Sequence, residues 1–93
     1  MMKVEFSKSA VKFLKKLDGA QQKRIRSKII RLRDSLGKQQ AVPFDELDIK
    51  KLKGNWQGFF RIRSGKCRII FKLNLNDRII YVYDICFRGS TYD

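Results

Sequence analysis

The chain has 93 residues, is 43% hydrophobic, and carries 22 Lys and Arg against 9 Asp and Glu, a formal charge of +13. That length allows one domain, spanning residues 1–93, with one modest core, and the apolar content is enough to fold and argues against disorder. No apolar run approaches the ~20 residues of a membrane span, and the opening Met1-Met2-Lys3-Val4-Glu5-Phe6 lacks a basic-then-apolar leader pattern, so a cytoplasmic protein is expected.

The charge is not a tail on a neutral body. Residues 1–46 hold 12 basic and 5 acidic side chains, and residues 47–93 hold 10 and 4. A fold basic throughout raises affinity for phosphate backbones and speeds encounter with them. A solvated surface selected for solubility is the blander alternative, and an acidic protein would be attracted too. Two cysteines, Cys67 and Cys86, lie in apolar strand-like runs and are expected as buried thiols. With no histidine and no Cys-x-x-Cys pair, no metal site is expected.

In chain order, Lys3–Phe6 alternates as a first strand. Ser7 or Ser9 can cap a helix on which Ala10, Phe13, Leu14 and Leu17 recur at helical spacing. Asp18-Gly19 is a turn, and Asp18 with Gln21 fits a capping box for a second helix. There Ile25, Ile29, Leu32 and Leu36 form one apolar stripe, the rest being basic from Lys23 to Arg33, with Gly37 as the stop. Residues 37–46 read as a loop. Asp48–Lys53 is a short polar strand candidate, Gly54-Asn55 a turn, and Phe59–Arg63, Cys67–Leu73 and Ile79–Phe87 are rich in β-branched and aromatic residues. Ser64-Gly65 and Asn74–Asp77 fit hairpin turns. The fold class is therefore α+β: an N-terminal strand, then a two-helix hairpin packed on one face of a small, mainly antiparallel sheet of four or five strands, burying Ile25, Ile29 and Leu32.

Period-two geometry sorts the strand residues. Phe60 and Ile62 oppose Phe59, Arg61 and Arg63; Arg68, Ile70 and Lys72 oppose Cys67, Ile69, Phe71 and Leu73; Asp84, Cys86 and Arg88 oppose Tyr83, Ile85 and Phe87. If the helices cover one face, Arg61, Arg63, Arg68 and Arg88 collect on the other. Like charges on adjacent strands repel unless an anion sits among them, and the guanidinium fork suits phosphate. The alternative is a solvated face whose Arg stems cover apolar area. No Ser-His-Asp or Cys-His set is available. Tyr92 is left as the acid–base candidate. A phenol ionises at about 10, and nearby cations lower that value. Spacing alone favours an aromatic near a frayed end.

The series Leu52-Lys53-Gly54, Phe60-Arg61-Ile62-Arg63 and Gly65-Lys66-Cys67-Arg68-Ile69-Ile70-Phe71 resembles the LKG … YRIR … GDYRIIF pattern of the RelE/ParE toxin superfamily. Val82–Arg88 followed by Tyr92 resembles its closing strand and ending, and Val4–Ser7 with Leu14-Lys15-Lys16-Leu17 its first half. The resemblance implies a RelE-like toxin of a type II toxin–antitoxin system. Such a toxin is a ribosome-dependent mRNA endoribonuclease that uses no metal or other cofactor and is neutralised by a cognate acidic antitoxin. It implies that Arg61 and Arg63 grip RNA and assist proton transfer, that Arg68 stabilises charge on the scissile phosphate, that Arg88 is the closing-strand basic residue, and that Tyr92 orients or deprotonates the 2′-hydroxyl or stacks on a base. Lys53, Lys66 and Lys72, with Arg24, Lys28 and Arg31 of the second helix, are the accompanying RNA-binding candidates. Phe87 stands where many relatives carry a His, and Lys66 where an Asp is common. The other readings are a ParE-like gyrase inhibitor acting by binding, and a non-catalytic RNA- or ribosome-binding module that uses the basic helix.

Overall fold

The structure is a computed structural model that describes residues 2–38 and 41–89. Strand β1 (Lys3–Phe6) leads into helix α1 (Lys8–Lys16), then helix α2 (Gly19–Lys38), then strands β2 (Ile49–Lys51), β3 (Phe60–Ser64), β4 (Cys67–Asn74) and β5 (Ile79–Phe87). The strands form a five-stranded sheet in the order β1-β5-β4-β3-β2. The pairs from β2 to β5 are antiparallel, whereas β1 runs parallel to β5 at the opposite edge. No helix among the described residues is long and apolar enough to cross a membrane.

The caps follow the side-chain chemistry. Ser7, not Ser9, caps α1, its hydroxyl oxygen accepting from the Ala10 N–H at 3.1 Å. Asp18 Oδ1 accepts from the Gln21 N–H at 2.8 Å and starts α2. Gly37 was expected to stop that helix, yet α2 continues through it to Lys38. Gly37 keeps a negative φ, so it does not form the left-handed cap that ends many helices at glycine.

Ile25, Ile29 and Leu32 of α2 are buried against Ile62, Ile69, Phe71, Ile80, Val82 and Ile85 of the sheet. Phe71 is fully buried and stacks on Phe60 at 5.3 Å between centroids. The β3–β4 turn is a two-residue loop, because Ser64 pairs with Cys67. Its first residue, Gly65, has φ +59, which such a turn demands of glycine, and an Arg24 nitrogen lies 3.4 Å from where a Cβ would stand.

Strict alternation fails at one place. Ile70 pairs with Asp84, but Phe71 pairs with Val82, so Tyr83 is an extra residue on β5. Val82 and Ile85 consequently both point to the helix side and are buried at 0% and 1% exposure. Tyr83 is pushed to the open face, away from Ile85, with which alternation had grouped it. The Ser7 hydroxyl donates to the Tyr83 carbonyl, giving the bulged peptide a partner outside the strand ladder.

Candidate nucleic-acid interface

The open face carries the arginines. Arg63 pairs with Arg68 across β3 and β4, Arg68 pairs with Cys86 across β4 and β5, and Arg61 sits opposite Ile70. Arg61 and Arg68 are only 4% and 6% exposed, which rules out a merely solvated strand face. Ile70 is fully buried although it lies outside the helix-side core, so open-face side chains cover it.

Burial first, and then the positive charges of Arg63, Arg61 and Arg88, hold the Arg68 guanidinium below the usual arginine value. Arg68 lies on β4, between the strand that carries Arg61 and Arg63 and the strand that ends just before Arg88, so it is the centre of the group. Asp48 offsets part of this charge: its Oδ1 lies 3.5 Å from Arg61 Nη1 and its Oδ2 lies 3.9 Å from Arg63 Nη1. Arg61 Nη1 also donates to the Asp48 carbonyl at 2.8 Å. Arg63 Nε is buried without a hydrogen-bond partner. A tight set of guanidiniums with a spare donor on Arg63 is suited to binding a phosphate and to stabilising added charge on it.

The remaining sequence candidates divide by position. Arg88 is exposed just beyond β5, its N–H donating at 2.8 Å to the carbonyl of Lys66, so both belong to the rim of the cluster. Lys28 Nζ donates to the Arg63 carbonyl at 2.7 Å, which ties α2 to the end of β3, and Arg24 reaches the same hairpin at Gly65. Arg31 is ion-paired with Glu46, in the segment before β2. Lys53 is exposed, immediately before the 3-10 turn Gly54–Trp56. Lys72 lies over two rings, 5.5 Å from the centroid of Phe59 and 5.7 Å from that of Tyr81. Tyr92 falls outside the described residues. Cys67 is buried and its thiol is pushed up, by burial first and by Cys86 second; both cysteines are free, and Cys86 is half-buried on the arginine side.

Three features escaped the sequence. Asp48 does, because the segment between β2 and β3 hides their register. Tyr81 and Tyr83 read equally well as core until the bulge fixes their side. Trp56, in an irregular turn, has no period to assign it, yet it joins Phe59 and Tyr83 on this face.

This architecture and its basic sheet face define a toxin of the RelE/ParE kind, and the comparisons agree. Residues 4–90 match the family model described as the ParE toxin of the type II toxin–antitoxin system parDE. The toxin RelE3 of Methanocaldococcus jannaschii is 39% identical over 92 residues, which cover 99% of this chain and 97% of that protein. Among solved structures, the toxin chain of the archaeal RelE–RelB complex from Pyrococcus horikoshii is 29% identical with a TM-score of 0.71, over 97% of this chain and 98% of that one. The RelB–RelE antitoxin–toxin complex from Methanococcus jannaschii gives 31% identity and a TM-score of 0.65, over 96% and 95%. The chain belongs to the RelE/ParE family of type II toxin–antitoxin toxins.

Proposed function

We propose that this toxin is a ribosome-dependent mRNA endoribonuclease, acting in the cytoplasm and neutralised by an acidic antitoxin. The observation that carries the reading is Arg68, buried at the centre of Arg61, Arg63 and Arg88. In the reaction the RNA 2′-oxygen forms a bond to the adjacent phosphorus and loses its proton, while the bond from phosphorus to the 5′-oxygen breaks and that oxygen takes up a proton. The products are a 2′,3′-cyclic phosphate and a free 5′-hydroxyl. Charge builds on the non-bridging oxygens as the phosphorus becomes five-coordinate. Arg68 is placed to stabilise it, with Arg61 and Arg63 gripping the strand and Arg88 on the rim. Tyr92 has the role of orienting or deprotonating the 2′-hydroxyl. The RelB complexes of the two archaeal relatives support an antitoxin partner, and the net charge of +13 makes an acidic one favourable.

The test is translation in a cell-free extract followed by primer extension on the mRNA. New 5′ ends within A-site codons are expected. Arg68→Ala should lower their rate about 10²–10³-fold, the range for losing one transition-state donor. Intact mRNA would refute the reading.

Two observations favour a second reading, a gyrase-inhibiting toxin that acts by binding. The matching family model is the ParE one, and Phe87 occupies the position of the usual His. Intact mRNA together with stalled gyrase–DNA complexes in the same extract is the outcome expected of it.

A further inference from the structure

Next to the arginines, on the same open face, four aromatic rings from separate parts of the chain meet. Trp56 lies 5.5 Å from Phe59 and 5.6 Å from Tyr83, Phe59 lies 5.3 Å from Tyr83, and Tyr83 lies 6.4 Å from Tyr81, all between ring centroids. Lys72 caps the group from β4, over Phe59 and Tyr81. None of the four rings belongs to the core beneath the helices. Tyr83 is 37% exposed, and Trp56, Phe59 and Tyr81 are half-buried. Tyr81 and Tyr83 share this face by alternation, and the bulge lets them do so while Ile85 stays in the core beneath the helices.

The position of these rings is informative. Phe59 precedes Arg61 by two residues on the same face, a separation of about 7 Å along an extended chain. Tyr81 pairs with Lys72, and Lys72 lies two residues from Ile70, the partner of Arg61. Rings and cations therefore alternate across the face over a distance on the order of one nucleotide. A single RNA strand presents the matching alternation of bases and phosphates. Every base has a π face, so aromatic groups beside a basic track bind single strands with little sequence demand. An acidic peptide would satisfy the cations but would leave the π faces without flat partners.

We infer that Trp56, Phe59, Tyr81 and Tyr83 form a base-stacking platform that holds the nucleotide next to the phosphate bound at Arg68, with Lys72 contacting the backbone between them. The inference rests on the proposed endoribonuclease reading for the identity of the strand, and it adds to that reading a binding subsite whose role is to position RNA.

Trp56 is the single tryptophan of the chain, so its fluorescence reports on the platform directly. The probes are a ten-nucleotide 2′-O-methyl RNA, which cannot be cleaved, and inorganic polyphosphate, which has charge without bases. At equal ionic strength the RNA should quench Trp56 and polyphosphate should bind without quenching. Tyr83→Leu removes a π face and keeps apolar bulk. It should weaken RNA binding about tenfold and leave polyphosphate binding unchanged, with Tyr83→Phe restoring RNA affinity to within about twofold. Equal quenching by both probes would overturn the platform, as would a Tyr83→Leu variant that binds RNA like the parent or loses both probes equally. So would a Tyr83→Leu variant that keeps RNA affinity and loses only its antitoxin, since the face would then serve a protein. If Tyr83→Leu does not fold, the two probes on the parent chain still decide. Stacking without mRNA cleavage in the extract sinks the nuclease reading alone. Cleavage and RNA affinity that are both indifferent to Tyr83→Leu sink the platform alone.

Discussion

Asp48 lies within reach of both Arg61 and Arg63, and its replacement separates stability from function. Its backbone is left-handed, with φ 51, a conformation that Asn tolerates and Ala resists by about 1–2 kcal/mol. Asp48→Asn therefore removes the charge and keeps the turn. Charges about 4 Å apart interact by roughly 4 kcal/mol at an effective dielectric constant of 20. The Asp48 side chain, however, is 51% exposed, and exposed pairs return only about 0.2–1 kcal/mol each. The hydrogen bond from Arg61 to the Asp48 carbonyl survives the change. Two such pairs give an expected loss of about 1 kcal/mol, or roughly 4–8 °C in Tm at this chain length. Asp48→Ala should lose about 1 kcal/mol more, through the backbone. RNA binding should move the other way, tightening because a repelling carboxylate has gone. Cleavage should fall at least about tenfold, because Arg61 and Arg63 lose their lateral restraint and small misplacements at a reacting centre are costly. Urea denaturation, fluorescence anisotropy on a labelled RNA and the extract assay measure the three quantities. The stability difference should shrink in 1 M salt. An Asp48→Asn protein with unchanged stability and cleavage, or with weaker RNA binding, would refute the assignment of Asp48 as the restraint.

Three further outcomes are expected. Inorganic phosphate should raise the Tm of the parent and not that of Arg68→Leu, which lacks the central guanidinium; an equal rise in the two thermal melts would contradict this. Ser7→Ala should cost about 1–2 kcal/mol by urea denaturation, since it removes both the α1 cap and the hydrogen bond to the Tyr83 carbonyl. Stability should also decline as pH rises beyond the ordinary thiol range of about 8.5. The Cys67 thiol is held above that value in the folded chain, so the unfolded chain releases its proton first and gains on the folded one; Cys67→Ala should remove this part of the alkaline decline.

The parts of the molecule that could be read from the sequence are those where a period repeats. The α2 stripe of Ile25, Ile29 and Leu32 and the alternation through Arg61 and Arg63, and through Arg68, Ile70 and Lys72, specify which side faces the helices, and the structure places each as expected. What could not be read depends on contacts between distant segments. The parallel pairing of β1 with β5 joins residues more than seventy positions apart, and Asp48 finds Arg61 only after β2 and β3 have paired.

The bulge shows most directly why such features stay hidden. One additional residue at Tyr83 reverses the facing of everything before it relative to everything after it, and no local composition marks the position. Its physical support lies in another element, because the hydroxyl that caps α1 also satisfies the bulged carbonyl. That coupling links the first helix to the open face: the one Ser7 hydroxyl accepts from the Ala10 N–H and donates to the carbonyl of Tyr83, whose ring stands beside Phe59 and Trp56. Ser7→Ala accordingly has a second expected effect, a reduced quench of Trp56 by RNA under conditions where the chain remains folded. A stability loss with the quench fully retained would show that the bulge stands without Ser7 and that the helix cap and the ring cluster are independent.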